Sequence, residues 1–216
     1  MQEENRLRCQ LIAVCKRLEQ KGLVAAADGN VSCRLGRGRL LITPSGRAKG
    51  DLQPLDLLLV DDRGEVLAGA GRPSSEIRLH LLVYEKRPDV QAVVHAHPPM
   101  LTAMTLAGMP FPADALPEVW MGFGPVPTAP YATPCTREVP DSIAPFVEDA
   151  QAVLLERHGS LTVGRDLGEA CSRLEKLEHA AHTLFYAHLM RQGPPEPLTR
   201  EDLRKLDRIV GRRPAG

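Results

Sequence analysis

The sequence predicts a single layered α/β domain whose sheet is mixed or mostly antiparallel. Three observations lead there: two segments that read as strand pairs around tight turns, two apolar strands that stand between helices, and several stretches with apolar residues at helical spacing. Strand pairs flanked by helices bury their apolar faces most simply in layers. The chain has 216 residues, 43% of them apolar, which suits one domain of that kind.

Taken in order, "EENRLRCQLIAVCKRLEQKG" places Leu7, Leu11, Val14, Cys15 and Leu18 on one helix face, with Gly22 as the stop. "NVSCRLGRGRLLIT" reads as two strands around a Gly-Arg-Gly turn, and "DLLLVDDRGEVLAG" repeats the form around Asp62-Arg63-Gly64. "PSSEIRLHLLVYEKRP" is a helix opened by serine caps, with an acid in its first turn and Pro88 beyond its end. "VQAVVHAHP" is a strand, and "PMLTAMTLAG" a helix closed by Gly108. "AQAVLLERHG" is a second strand, ending at a histidine. "LGEACSRLEKLEHAAHTLFYAHLMRQG" is a long helix, and "LTREDLRKLDRIVGRRPAG" a short amphipathic helix with a frayed tail.

Charge and composition exclude some classes of function. Lys plus Arg equal Asp plus Glu at 27 each, so the chain does not coat nucleic acid or an anionic membrane. Five cysteines without C-x-x-C spacing read as reduced thiols of a cytoplasmic protein. The charged start "MQEENRLRCQ" is not expected to be a signal peptide. The longest uncharged stretch, residues 90–113, carries two histidines and four prolines, so no membrane span is expected.

The chemistry begins at "AVVHAHPPM". On a strand, His95 and His97 point to one side, as two ligands of one metal must. His158 ends the other apolar strand, directly before a glycine that permits close backbone approach. Glu76, at the start of its helix, is the candidate fourth ligand, and a carboxylate there can also act as acid/base. A rival cluster, His179 and His182 beside Glu175 and Glu178, shares one face of the long helix. Three loops suit an anion: "DGNVS", "TPSG" and "PSSE". They offer the backbone N–H groups of Gly29, Asn30 and Gly46 and the hydroxyls of Ser45, Ser74 and Ser75 for a phosphate.

In order along the chain, "GNVS", "TPSG", "PSSE", "VVHAHP", "APYAT" and "RHG" resemble the class II aldolase/adducin family. The likeness is strongest to its L-fuculose-1-phosphate aldolase branch and spans about residues 5 to 190. The resemblance implies a central, largely antiparallel sheet between helices over residues 1–193, followed by the short helix and tail at 194–216. It implies one Zn2+ per subunit, held by His95, His97, His158 and, at rest, Glu76, which then serves as acid/base. Gly29, Asn30, Ser45, Gly46, Ser74 and Ser75 match the family's phosphate-binding positions. The implied reaction is reversible cleavage of a ketose 1-phosphate, such as L-fuculose 1-phosphate, to dihydroxyacetone phosphate and an aldehyde through a metal-bound enediolate. No lysine Schiff base is needed. The implied assembly is a homotetramer with active sites at subunit interfaces, and the implied partner a small phosphorylated sugar.

One departure stands out. The branch has an interface tyrosine that helps protonate the aldehyde, lying between the metal histidines and "APYAT". Here "FPADALPEVWMGFGPVPT" holds none; Glu118 and Trp120 are the candidates for the neighbouring space, with Glu118 the candidate auxiliary acid and a surface or interface carboxylate its plainer reading. The alternatives on the same metal site are a sugar-phosphate 4-epimerase and a methylthioribulose-1-phosphate dehydratase. A non-catalytic domain like the adducin head is disfavoured by the presence of all three histidines and the glutamate.

Overall fold

Strand pairing organises the molecule, seen in a computed structural model that describes residues 2–36 and 38–212. The elements are α1 (Gln2–Gln20), β1 (Asn30–Gly36), β2 (Arg39–Ile42), β3 (Leu58–Asp61), β4 (Val66–Ala68), α2 (Ile77–Lys86), β5 (Ala92–Ala96) and α3 (Pro99–Leu106). There follow α4 (Pro117–Phe123), β6 (Thr128–Ala129), α5 (Glu138–Ile143), β7 (Ala152–Leu155), β8 (Gly159–Gly164), α6 (Leu167–Arg191) and α7 (Arg200–Val210). They build one eight-stranded sheet in the order β4-β3-β2-β1-β5-β8-β7-β6. Every neighbouring pair is antiparallel except β6 with β7. Residue 37 of the predicted Gly-Arg-Gly turn and the predicted frayed tail at 213–216 lie outside the described residues.

Alternation along the strands sorts side chains into two cores. Val31, Cys33, Ala92, Val94 and Ala96 enter the core shared with α1, α3 and α6. Val93, Leu161 and Val163 enter the other core, under α2 and α5. By the same alternation Asn30, Ser32 and His95 lie on the α2 side, and Asn30 pairs directly with His95 across the β1–β5 ladder. Strand period alone therefore delivers polar groups from two strands to the start of α2.

Two expectations change. Glu76 is not in the first turn of its helix but is its N-cap residue, with the Ser74 hydroxyl accepting from its backbone N–H at 3.3 Å. His158 does not end a strand; it lies in the β7–β8 turn, where Arg157 takes a left-handed φ of 59° and Leu155 pairs with Gly159. The sequence reading did not assign β8, "GSLTVG". All six of its residues are buried, so it lacks the alternation that marks a half-exposed strand. It also did not assign α4, α5 or β6, which span only two to seven residues.

The C-terminal helix is fastened to the rest of the chain. Trp120 of α4 donates its indole N–H to the buried Asp207 of α7 at 2.9 Å. Arg212 bonds Asp207 and the carbonyls of Trp120 and Met121.

Candidate active site

Four side chains meet where β5, the β7–β8 turn and the start of α2 converge. Glu76, His95, His97 and His158 each offer a ligand atom, all within 4.8 Å of one another. His95 Nδ1 lies 3.0 Å from the Ser160 carbonyl, which can only accept, so His95 carries its proton on Nδ1 and turns the Nε2 lone pair inward. His97 directs Nδ1 toward Asp28, 3.6 Å away, and its Nε2 comes within 3.1 Å of His95 Nε2. Glu76 Oε2 is 3.1 Å from His95 Nε2 and Oε1 is 3.2 Å from His158 Nε2.

Lone pairs thus face lone pairs, with Glu76 Oε1 buried and lacking a hydrogen-bond partner. An arrangement of acceptors without donors is repulsive until a cation sits among them, and two or three imidazoles with a carboxylate suit a divalent ion of the zinc type. The residues present fit the metal. The carbonyl behind His95 fixes its tautomer, as an outer partner of a ligating histidine does.

Close packing holds the geometry. A Cβ at Gly159 would lie 2.3 Å from the Ala96 carbonyl and 2.9 Å from the His97 ring. Any side chain there would drive the turn carrying His158 away from His97. Gly29 has φ of 72°, and a Cβ would meet Val24 at 2.6 Å and the His95 carbonyl at 3.0 Å.

Charge in the cluster follows from these contacts. Burial works to raise the Glu76 carboxyl pKa, but His95, His158 and the Asn30 amide together hold it well below the usual carboxylate range. Burial, with His95 alongside, pushes His158 down to about 4 and lowers His97 as well. Nitrogen lone pairs are therefore available at neutral pH.

The cluster opens on a cleft whose lining includes Gly29, Ser45, Gly46, Ser74, Ser75 and Cys135 together with Glu76, His97 and His158. Two of the predicted anion loops are tied together by a bridge between Pro44 and Pro73 and by Ser45 N–H donating to Arg72 O at 2.9 Å. Ser45, Gly46 and Ser75 are exposed to an incoming ligand, whereas Ser74 is buried. Ser75 Oγ lies 3.1 Å from Cys135 Sγ. Asn30 also lines the cleft, and its buried side chain is turned to Glu76. Glu118 is exposed on the first turn of α4 and is absent from the lining of this cleft.

The sequence reading gave the lysines no role, yet Lys49 is fully buried at 1% exposure and lines the same cleft. Its ammonium donates to Ala27 O at 2.8 Å and Arg47 O at 2.9 Å, pinning two of the three loops. Burial lowers its pKa. The signal in the sequence was its place three residues after "TPSG".

The rival cluster on α6 does not gather among the described residues: His182 reaches Glu178 at 3.4 Å, but no third ligand joins them. Glu178 accepts from the backbone N–H groups of Met100 and Leu101 at 2.9 and 3.0 Å, capping α3, and Glu175 pairs with Arg17 and Lys21. His179 is exposed.

The sheet and the histidine–carboxylate cluster together define an α/β domain with a centre suited to a metal ion. The chain belongs to the class II aldolase/adducin family: residues 9–185 match the family described as Class II Aldolase and Adducin N-terminal domain. It is 34% identical over 211 residues to the 3-oxo-tetronate 4-phosphate decarboxylase of Escherichia coli K12, covering 94% of this chain and 96% of that one. It is 35% identical to the 5-methylthioribulose-1-phosphate/5-deoxyribulose-1-phosphate aldolase of Rhodospirillum rubrum, covering 93% and 89%. The solved structure of an L-fuculose 1-phosphate aldolase superposes with a TM-score of 0.86 at 30% identity, covering 95% of this chain and 96% of that one. No helix among the described residues is long and apolar enough to cross a membrane.

Proposed function

We propose that this chain is a divalent-metal-dependent carbon–carbon lyase that cleaves a ketose 1-phosphate to dihydroxyacetone phosphate and an aldehyde. The observation that carries this reading is the donor-free meeting of Glu76 with three histidine nitrogens at the inner end of a cleft shaped for an anion. A divalent ion, Zn2+ in our reading, would be held by His95, His97, His158 and Glu76 and would supply Lewis-acid polarisation of the substrate carbonyl.

The chain's own groups do the rest. Gly46, Ser45, Ser74 and Ser75 receive the phosphate, over the buried positive charge of Lys49. Their distance from the histidines then sets which substrate carbon lies over the carboxylate. Glu76 keeps Oε2 on the Asn30 amide and has Oε1 free of hydrogen bonds. That oxygen takes or returns the proton that separates dihydroxyacetone phosphate from its enediolate. Loss of the aldehyde needs a further proton-transfer group. We assign that group to a neighbouring subunit of a homotetramer, with Glu118 as one candidate.

A second reading follows from the departure noted above. Residues 111–128 contain no tyrosine, and Glu118 does not reach the cleft of its own chain. Decarboxylation of a 3-oxo-tetronate 4-phosphate leaves the same three-carbon enediolate, and departing CO2 needs no proton transfer. The two readings share Glu76 and the phosphate cleft and differ only in the fragment that leaves.

The test is a substrate panel of L-fuculose 1-phosphate, 5-deoxyribulose 1-phosphate and 3-oxo-tetronate 4-phosphate, with enzymatic detection of dihydroxyacetone phosphate and of CO2. Dihydroxyacetone phosphate from a ketose 1-phosphate, abolished by EDTA and restored by metal, is the expected result. CO2 release from the acid alone selects the second reading. Undiminished activity with the chelator present, or turnover without the three-carbon product, contradicts both.

A further inference from the structure

Glu76, His80 and Tyr84 recur every fourth residue, so they share one face of α2 and its N-cap. β1 answers with Asn30 and Ser32 at alternate positions on the face turned toward them. Four hydrogen bonds join the two rows. Asn30 Nδ2 donates to Glu76 Oε2 at 3.0 Å, and His80 Nε2 lies 2.5 Å from Asn30 Oδ1. Ser32 Oγ lies 2.7 Å from His80 Nδ1 and 2.8 Å from the Tyr84 hydroxyl. Ser32 and His80 are fully buried, and Asn30 and Tyr84 are 3% and 5% exposed. None of His80, Ser32 or Tyr84 touches the cleft.

We propose that Tyr84, Ser32, His80 and Asn30 form a one-directional hydrogen-bond chain that holds the Glu76 carboxylate in place, which makes His80 and Ser32 positioning residues of the metal centre. Each link fixes the next. An ionised Glu76 only accepts, so Asn30 must present its amide NH2 to it; the flipped amide would set two acceptors against each other. Asn30 Oδ1 must then accept, which places the His80 proton on Nε2. Among the described residues no carboxylate bonds His80, and burial, with His95 adding to it and Glu76 opposing, pushes its pKa down to about 3. The imidazole is therefore neutral, and its Nδ1 accepts from the Ser32 hydroxyl. Ser32 Oγ in turn accepts from Tyr84, whose phenol burial keeps protonated.

The outer end is anchored as firmly as the inner one. The Arg34 guanidinium lies 4.7 Å from the centre of the Tyr84 ring and donates to the carbonyls of Tyr84 and Val90. With an acceptor-only carboxylate at its inner end, this buried chain admits a single direction. The carboxylate at its end thus keeps Oε2 fixed while Oε1 stays without a hydrogen bond.

The effect on turnover rests on the proposed role of Glu76, but the direction of the chain does not, so the test reads them separately. Long-range 1H–15N correlation of the metal-free protein should show His80 neutral with its proton on Nε2. Ser32→Ala, a small change in a buried strand, leaves Asn30 to hold that proton and strips Nδ1 of its donor. Loss of an outer partner of a metal site commonly costs 10- to 100-fold in affinity or activity, and this one is two bonds further out. We therefore expect about 5-fold weaker zinc binding in competition with a chelating dye, and about 10-fold lower kcat at unchanged KM. Ser32→Thr, which keeps the hydroxyl, should recover most of both. A His80 proton on Nδ1 in the wild type, or wild-type zinc affinity in Ser32→Ala, overturns the proposal. If the protein turns over none of the phosphates tested while His80 keeps the expected tautomer and Ser32→Ala loses zinc affinity, the functional reading fails and the positioning chain stands.

Discussion

Two groups of histidines and glutamates in this chain look alike in sequence and behave oppositely in structure. On α6, Glu175, Glu178, His179 and His182 are spaced to share a helix face, but their carboxylates are already satisfied by Arg17, Lys21 and the N–H groups that open α3. At the sheet, Glu76, His95, His97 and His158 come from three separate places and bring acceptors together without donors. What marks a metal site is therefore not the density of ligand types. It is the absence of any other way to satisfy them.

The largest expected effect of breaking this contrast is at Glu76. Glu76→Gln keeps the size of the side chain but loses the proposed proton-transfer group, and kcat should fall about 10²- to 10⁴-fold with metal content kept, read by steady-state kinetics beside elemental analysis. Glu178→Ala should do the reverse. It removes the cap of a buried helix start and is expected to cost about 2 kcal/mol in denaturant unfolding, with metal content unaltered.

A third effect is on acid stability. In the metal-free protein His80 titrates near 3 and His158 near 4, against about 6.5 for an unfolded histidine. The unfolded chain thus binds more protons as pH falls below about 6.5, and folding stability should drop from there toward pH 4, followed as Tm in calorimetry. Bound metal, which competes with protons for His158, should move that loss to lower pH. The smallest change is Glu175→Ala. It breaks partly exposed pairs with Arg17 and Lys21 and should alter stability by less than about 1 kcal/mol, weakening further in high salt.

Much of this was legible in the chain. His95 and His97 were readable because the alternation of β5 turns His95 to the α2 side and His97 follows directly beyond its end, and α6 because its apolar stripe runs from Leu167 to Leu184. The strand ending at His158 was misread because "GSLTVG" is buried on both faces, and a short apolar run without alternation carries no period. Asn30 was read for its backbone N–H in an anion loop, which says nothing of its side chain. Only the register with β5 shows its side chain turned to Glu76. Lys49 was passed over because the sequence shows a lysine's charge but not its burial. The Glu76–His80–Tyr84 spacing was present in plain view, but its meaning depends on Asn30 and Ser32 lying opposite.

The most direct test of the account is the stoichiometry and affinity of divalent metal in the purified chain, compared with His95→Ala and His182→Ala. We expect one ion per chain in the wild type, its loss in His95→Ala and its full retention in His182→Ala. A wild-type protein that binds no metal, or one whose metal survives loss of His95 and departs with His182, would contradict the central claim that converging lone pairs at the sheet make the site.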